Sequence, residues 1–240
     1  MDMTKITRPL RKALPLKYCA AVIVAAGSAS RMGGIDKVMA ELDGEPIIVR
    51  SVRVFQDCDA IQEIVIVTRP DLIIPVSDLT RDFSKVRAVV AGGKTRQESV
   101  NLGLNAISEN AKLAAIHDGA RPLVTWQVID RVVRAAHTYG AAVPAVPVTD
   151  TVKVVKGGVV ASTCDRDTLR AIQTPQVVDV DLLRGALKKA EADHAQVTDD
   201  ASAVERLGMS VKVVEGDRRN IKITTPVDLR LAKLLLEEKP

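Results

Sequence analysis

The stretch Ala25-Ala26-Gly27-Ser28-Ala29-Ser30-Arg31-Met32-Gly33-Gly34 follows an apolar run, and Lys37 stands three residues beyond it. Small side chains let a backbone approach a ligand closely, consecutive N–H groups form a nest for an anion, and Arg31 and Lys37 add fixed positive charge. In outline this is a cradle for a triphosphate. A second loop, Gly92-Gly93-Lys94-Thr95-Arg96-Gln97-Glu98-Ser99, opens a helical segment, and its glycines and Ser99 suit contact with a base or sugar. A third, His117-Asp118-Gly119-Ala120-Arg121-Pro122, ends an apolar run. Ligands of open α/β sheets bind beyond the carboxyl ends of the strands, where Asp118 falls. A carboxylate beside a bound triphosphate is placed to share Mg2+ with the phosphate oxygens, so Asp118 is the candidate metal ligand.

Rival readings of these loops fail on spacing. The dinucleotide fingerprint G-x-G-x-x-G meets Ala29 at its second glycine, and Ser30 to Met32 do not restore it. Gly92-Gly93-Lys94-Thr95 imitates the end of a Walker A motif, but that pattern requires a glycine where Ala88 sits. No GxSxG elbow supports serine hydrolase chemistry. His117, His137 and His194 lack metal-ligand spacing, and His117 reads as a packed strand-end residue.

Loops of this kind need a framework, and the hydrophobic pattern supplies one. Runs rich in Val, Ile and Ala at 20–25, 63–68, 86–91, 113–117 and 141–146 read as strands. Between them the spacing predicts helices over 46–56, 71–82, 95–109 and 125–139, the last stopped by Gly140. Strands apolar on both faces alternating with helices imply a three-layer α/β fold with a mostly parallel sheet. Two β-branched runs at 149–155 and 159–163, joined by Lys156-Gly157-Gly158, predict a hairpin that projects as an arm. Helices follow at 179–192 and 199–207, strands at 211–214 and 221–223, and a closing helix at about 226–236. With no repeat or linker, 19–238 reads as one domain carrying an arm at about 147–166, behind a basic leader at 1–18.

Composition narrows the class further. Hydrophobic residues make up 47% and charged ones 27%, which excludes wholesale disorder and fibrous sequences. Two Phe, two Tyr and one Trp are too few for an aromatic row that stacks single-stranded nucleic acid. The net charge of +4 owes much to Lys5, Arg8, Arg11, Lys12 and Lys17, and a nucleic-acid reading rests on that leader alone. The leader and the apolar run behind it imitate a secretory signal, but that run reads equally as a first buried strand feeding the glycine loop. No apolar stretch reaches the ~20 residues of a membrane span. Cys19, Cys58 and Cys164 are an odd number at wide spacings, against a disulfide framework and in keeping with the cytoplasm.

In order along the chain, AAGSASRM (25–32), Lys37, GGKTRQES (92–99), HDGARP (117–122), DTVK (150–153), RAIQTPQ (170–176), TDDAS (198–202) and EGDRRNIKITTP (215–226) resemble the cytidylyltransferases of the isoprenoid pathway that act on methylerythritol phosphate. The resemblance spans about 19–238. It implies a Rossmann-like nucleotidyltransferase domain, a homodimer joined through the arm, and CTP and Mg2+ as substrate and cofactor. By motif match, Arg31, Lys37 and Lys222 are the catalytic cations at the triphosphate. Ala25, Ala26, Gly27, Gly92 and Ser99 line the nucleotide, and the backbone around Gly93 and Lys94 reads cytosine. Thr151 and Arg166 reach the partner subunit's acceptor, which Thr198 contacts within its own subunit. The chain departs from the family where Ile35-Asp36-Lys37-Val38 replaces a common Pro-Lys-Gln, at Ala29 for a frequent glycine, and at Gly119 for a frequent alanine or serine. Two other readings are a cytidylyltransferase for a different polyol phosphate, such as ribitol 5-phosphate, and a non-catalytic nucleotide-binding protein. DTVK, RAIQTPQ and TDDAS favour methylerythritol, and the joint presence of Arg31, Lys37, Asp118, Arg166 and Lys222 favours catalysis.

Overall fold

The computed structural model describes residues 15–27 and 37–237. Strand β1 (Cys19–Val24) is followed by the short hairpin β2 (Glu41–Leu42) and β3 (Glu45–Pro46), then α1 (Ile47–Gln56), β4 (Glu63–Thr68), α2 (Ile73–Thr80), β5 (Val86–Ala91), α3 (Arg96–Ala106), β6 (Leu113–Asp118), α4 (Trp126–Tyr139) and β7 (Ala141–Pro147). The arm is the separate two-stranded pair β8 (Lys153–Lys156) and β9 (Val159–Thr163). After it come β10 (Arg170–Ile172), β11 (Gln176–Asp179), α5 (Val180–Ala192), α6 (Asp200–Glu205), β12 (Lys212–Glu215) and α7 (Pro226–Glu237).

The main sheet runs β10-β7-β11-β6-β1-β4-β5, with β12 also on β7. β1 pairs in parallel with β4 and β6, β4 with β5, and β12 with β7. β10 and β11 run antiparallel on β7, and β11 also on β6. The period of two along each strand sends alternate side chains to opposite faces. Cys19, Ala21 and Ile23 of β1 join Ile48, Val52 and Phe55 of α1, Val76 of α2 and Ile129, Val132 and Val133 of α4. Ala20 and Val22 join Val100 and Leu104 of α3, Leu183 and Leu187 of α5 and Val204 of α6. Full burial of each Val, Ile or Leu stabilises by about 1.5–3 kcal/mol, so an aliphatic alternation holds three layers together with few aromatics. A satellite core packs α7 through Ala232 against Leu42, Ile47, Leu123 and Ile223.

Local signals set the helix ends. Thr125 caps α4 by accepting from the Val128 N–H, and Gly140 ends it with φ of 84°, a left-handed backbone that glycine adopts without a Cβ clash. The segment 221–223, expected as a strand, is an extended loop instead. Ile223 drops into the satellite core and its N–H donates to the Ala120 carbonyl at 2.8 Å, so the apolar alternation anchors a loop and builds no ladder. The helix expected from 71 opens as a 3-10 turn, Pro70–Leu72, and the first arm strand starts at Lys153 rather than at 149. Among the described residues no helix is long and apolar enough to cross a membrane.

Candidate active site

The carboxyl ends of β1, β4, β5 and β6 open on one pocket of about 340 Å³. Its walls include Ala25, Ala26, Gly27, Lys37, Gly93, Lys94, Ser99, Asp118 and Lys222. Nine of the positions singled out from sequence therefore converge, although they come from segments nearly 200 residues apart. Gly92 abuts the same wall: a Cβ added there would sit 2.3 Å from the Ala26 Cβ and 2.9 Å from the Ser99 Oγ, so only glycine lets the two loops meet. Its N–H donates to the Thr68 carbonyl at 2.7 Å and pins the second loop to β4. Arg31 lies outside the described residues.

The second loop is shaped by its own side chains. Thr95 caps α3 by accepting from the Glu98 N–H, the Glu98 carboxylate accepts from the Lys94 N–H, and the Ser99 hydroxyl accepts from the Gly93 N–H while donating to the Thr95 carbonyl. On the first loop, a Cβ at Gly27 would stand 3.4 Å from the Lys37 Nζ, so the ammonium lies over the glycine.

Charge is the distinguishing property of this pocket. Among the described lining residues, Lys37, Arg69, Lys94, Arg96 and Lys222 face a single carboxylate, Asp118. Asp118 Oδ2 is 2.8 Å from the Lys222 Nζ and 3.6 Å from the Arg121 Nε, and Oδ1 is 3.7 Å from the Arg96 Nε. Burial alone would push this carboxyl up, but Lys222, Arg96 and Arg121 outweigh it and bring its pKa down to about 2. The site therefore holds an excess of cations, ready for a polyanion. A larger open groove of about 920 Å³ lies by Trp126, lined by Asp57, Glu215 and Asp217 against Arg131, Arg218 and Arg219. Its balanced charges give a polyphosphate no comparable attraction.

Behind Asp118 a hydrogen-bond chain fixes the strand end. The Asp118 N–H donates to Thr174 Oγ1, and the Thr174 hydroxyl donates onward to Nδ1 of His117 at 3.0 Å. The opposite ring N–H, on Nε2, donates to the Arg121 carbonyl at 3.2 Å. Those partners define the neutral Nε2–H tautomer, and burial takes the His117 pKa down to about 4.

The structure does not bring every candidate to this pocket. Thr151, Arg166 and Thr198 are exposed, and none lines the strand-end pocket of its own chain. Arg166, beside the arm, donates to the Thr149 carbonyl at 3.0 Å. Two lining cations, Arg69 and Arg96, are not among the positions that sequence reasoning singles out. Arg69 follows the last residue of β4, so the strand-end rule that finds Asp118 also points to it; Arg96 sits inside GGKTRQES, where spacing alone lends it no role.

Comparison with known proteins places this geometry. A family model for 2-C-methyl-D-erythritol 4-phosphate cytidylyltransferase matches residues 19–238. The curated 2-C-methyl-D-erythritol 4-phosphate cytidylyltransferase of Symbiobacterium thermophilum is 47% identical over 220 residues, covering 91% of this chain and 92% of the relative. That of Halalkalibacterium halodurans is 46% identical over 221 residues, covering 91% and 96%. A crystal structure of 4-diphosphocytidyl-2C-methyl-D-erythritol synthase from Anaerococcus prevotii superposes with a TM-score of 0.84 at 32% identity, covering 92% of this chain and 97% of that one. The Thermus thermophilus enzyme superposes at 0.76 with 33% identity, covering 91% and 98%. Fold and sequence agree over nearly the whole chain, and the protein belongs to the 2-C-methyl-D-erythritol 4-phosphate cytidylyltransferase family.

Proposed function

We propose that the strand-end pocket carries out the family's reaction, in which the cytidylyl group of CTP passes to 2-C-methyl-D-erythritol 4-phosphate and pyrophosphate leaves. An oxygen of the acceptor phosphate attacks the α-phosphorus, and the bond from that phosphorus to the bridging oxygen of the β-phosphate breaks. No protein nucleophile is required. The chain supplies position and charge, which is how phosphoryl and nucleotidyl transfers are chiefly accelerated. The observation that carries this reading is that the pocket's described lining sets five cations against one carboxylate. Lys37 and Arg31 hold the triphosphate, Lys222 bears on the charge that develops at the α-phosphate, and the Gly92–Ser99 loop reads the base through backbone groups.

The pocket's donor set fits a magnesium ion arriving with the nucleotide. Asp118 is ionised, and its Oδ1 has Arg96 at 3.7 Å, beyond direct hydrogen-bond range. Mg2+ commonly takes one or two carboxylates and fills its remaining positions with phosphate oxygens and water, so a lone aspartate suffices. When bound, the ion would neutralise phosphate charge and align the oxygens for in-line displacement. Asp118 is the residue that would hold it.

The acceptor half of the site comes, in this reading, from two chains. Residues 19–238 form one catalytic domain that pairs as a homodimer through the arm at about 147–166, with Thr151 and Arg166 delivered to the neighbour's acceptor and Thr198 acting within its own subunit. The exposure of Val154, Val155, Val159 and Val160 on the arm supports it, since an apolar hairpin gains by being covered. Three free cysteines suit a cytoplasmic enzyme. A Lys37→Ala variant tests the placement of the reaction: CTP binding and pyrophosphate release should both collapse, and a variant that keeps both would move the chemistry elsewhere.

A further inference from the structure

Arg96 stands where a helix has no use for it. It is the first residue of α3, where a cation opposes the helix dipole. Its guanidinium lines the nucleotide pocket, yet its Nη2 donates to Asp200 Oδ2 at 2.7 Å, across 104 residues of sequence, while its Nε lies 3.7 Å from Asp118 Oδ1. Asp200 is 1% exposed and begins α6. Burial works against the charge on Arg96, but Asp200 and Asp118 outweigh it and raise its pKa, so Arg96 stays a cation; burial pushes the Asp200 carboxyl up, and Arg96 is the group that opposes that push.

The segment held by Asp200 is the one that carries Thr198. Asp199 caps α6 through a reciprocal capping box with Ser202, and Gln176 of β11 donates to Asp199 Oδ2 and accepts from the Ala201 N–H, each at 2.8 Å. Those ties come from the sheet and from α6 itself. Arg96 is the tie that comes from the wall of the nucleotide pocket, so its orientation is shared by the triphosphate side and the acceptor side.

We propose that Arg96 is a positioning residue which, through its pair with Asp200, couples nucleotide occupancy to acceptor binding. The inference rests on the reading of Thr198 as an acceptor contact. A triphosphate entering beside Lys94 and Lys222 adds negative charge next to Arg96, redistributes its hydrogen bonds, and through Asp200 sets the Thr198 loop. Coupling of this kind is reciprocal: whatever factor CTP lends to the acceptor's affinity, the acceptor lends to CTP.

The test is to titrate methylerythritol phosphate into the full-length protein by calorimetry, with and without a non-hydrolysable CTP analogue, and to repeat the titration in reverse order. The wild type should show a coupling factor of about fivefold or more, equal in both orders. In Asp200→Asn the factor should fall towards one, with the analogue's own affinity changed less than the factor itself. Arg96→Lys keeps a cation near Asp200 but cannot also reach Asp118. It should lose the factor likewise, and it decides the matter should Asp200→Asn fail to fold. A wild-type factor of one, or a factor unchanged in both variants, would overturn the coupling. Pyrophosphate release by the wild type separates the two levels: its absence removes the functional reading and this inference with it, whereas its presence with unchanged coupling removes this inference alone.

Discussion

At Asp118 one carboxylate meets Lys222, Arg96 and Arg121, and the balance between burial and those cations decides its state. Asp118→Asn preserves the size and removes the charge. Turnover should fall by about 100-fold or more, the scale of losing one preorganised charge contact, while circular dichroism and gel filtration stay native. Near-normal Mg2+-dependent turnover in that variant would rule Asp118 out as the metal ligand. Its neighbour His117 offers a separate check on stability. The unfolded chain takes up a proton at an ordinary histidine near pH 6.5, whereas the buried ring resists protonation until about 4. Stability should therefore decline as pH falls through that window, by up to ~3 kcal/mol for this group, and recover none of it below. Urea denaturation of wild type and His117→Gln between pH 6.5 and 4 measures the difference in slope, and identical slopes would contradict the buried neutral tautomer.

At the scale of elements, much was legible because the signals are local. β4 and β5 occupy the residues that their apolar runs mark out, and α4 stops at Gly140 as expected, while Thr125, expected as its first residue, is its N-cap. Less visible were β2 and β3, whose two-residue strands meet at Asp43 and Gly44, both with positive φ, and β10 and β11, short antiparallel pieces whose partners lie 23 or more residues earlier in the chain. Strands of two to four residues carry too little periodicity to read, and their pairing is a tertiary property. The reverse happened at 221–223, where alternation suggested a strand and the satellite core claimed Ile223. The arm is the element on which the proposed dimer turns. If Arg166 serves the neighbouring subunit, Lys37→Ala and Arg166→Ala protomers, each inactive alone, should recover activity when mixed and re-equilibrated, because one site of the mixed dimer keeps both residues. Mixtures that stay inactive would show that each site is built within one chain.

For the whole molecule, the parallel centre of the sheet gathers four strand ends at one edge, where Lys37 and parts of AAGSASRM, GGKTRQES, HDGARP and EGDRRNIKITTP meet, while DTVK, RAIQTPQ and TDDAS stay outside the pocket. What sequence could not show is the tie between α3 and α6. Arg96 and Asp200 are ordinary residues in their own motifs and acquire meaning only when folding brings 104 residues of separation down to 2.7 Å. Thr151 and Arg166 lie apart from the pocket of their own chain, so if they serve the acceptor, as proposed, they do so in a neighbouring subunit. The most direct measurement is steady-state pyrophosphate release at saturating CTP and Mg2+, with 2-C-methyl-D-erythritol 4-phosphate and ribitol 5-phosphate supplied side by side. Pyrophosphate should be released with methylerythritol phosphate at a kcat/KM well above that for the ribitol ester; no release with methylerythritol phosphate, or a preference for ribitol 5-phosphate, would refute the proposed reaction.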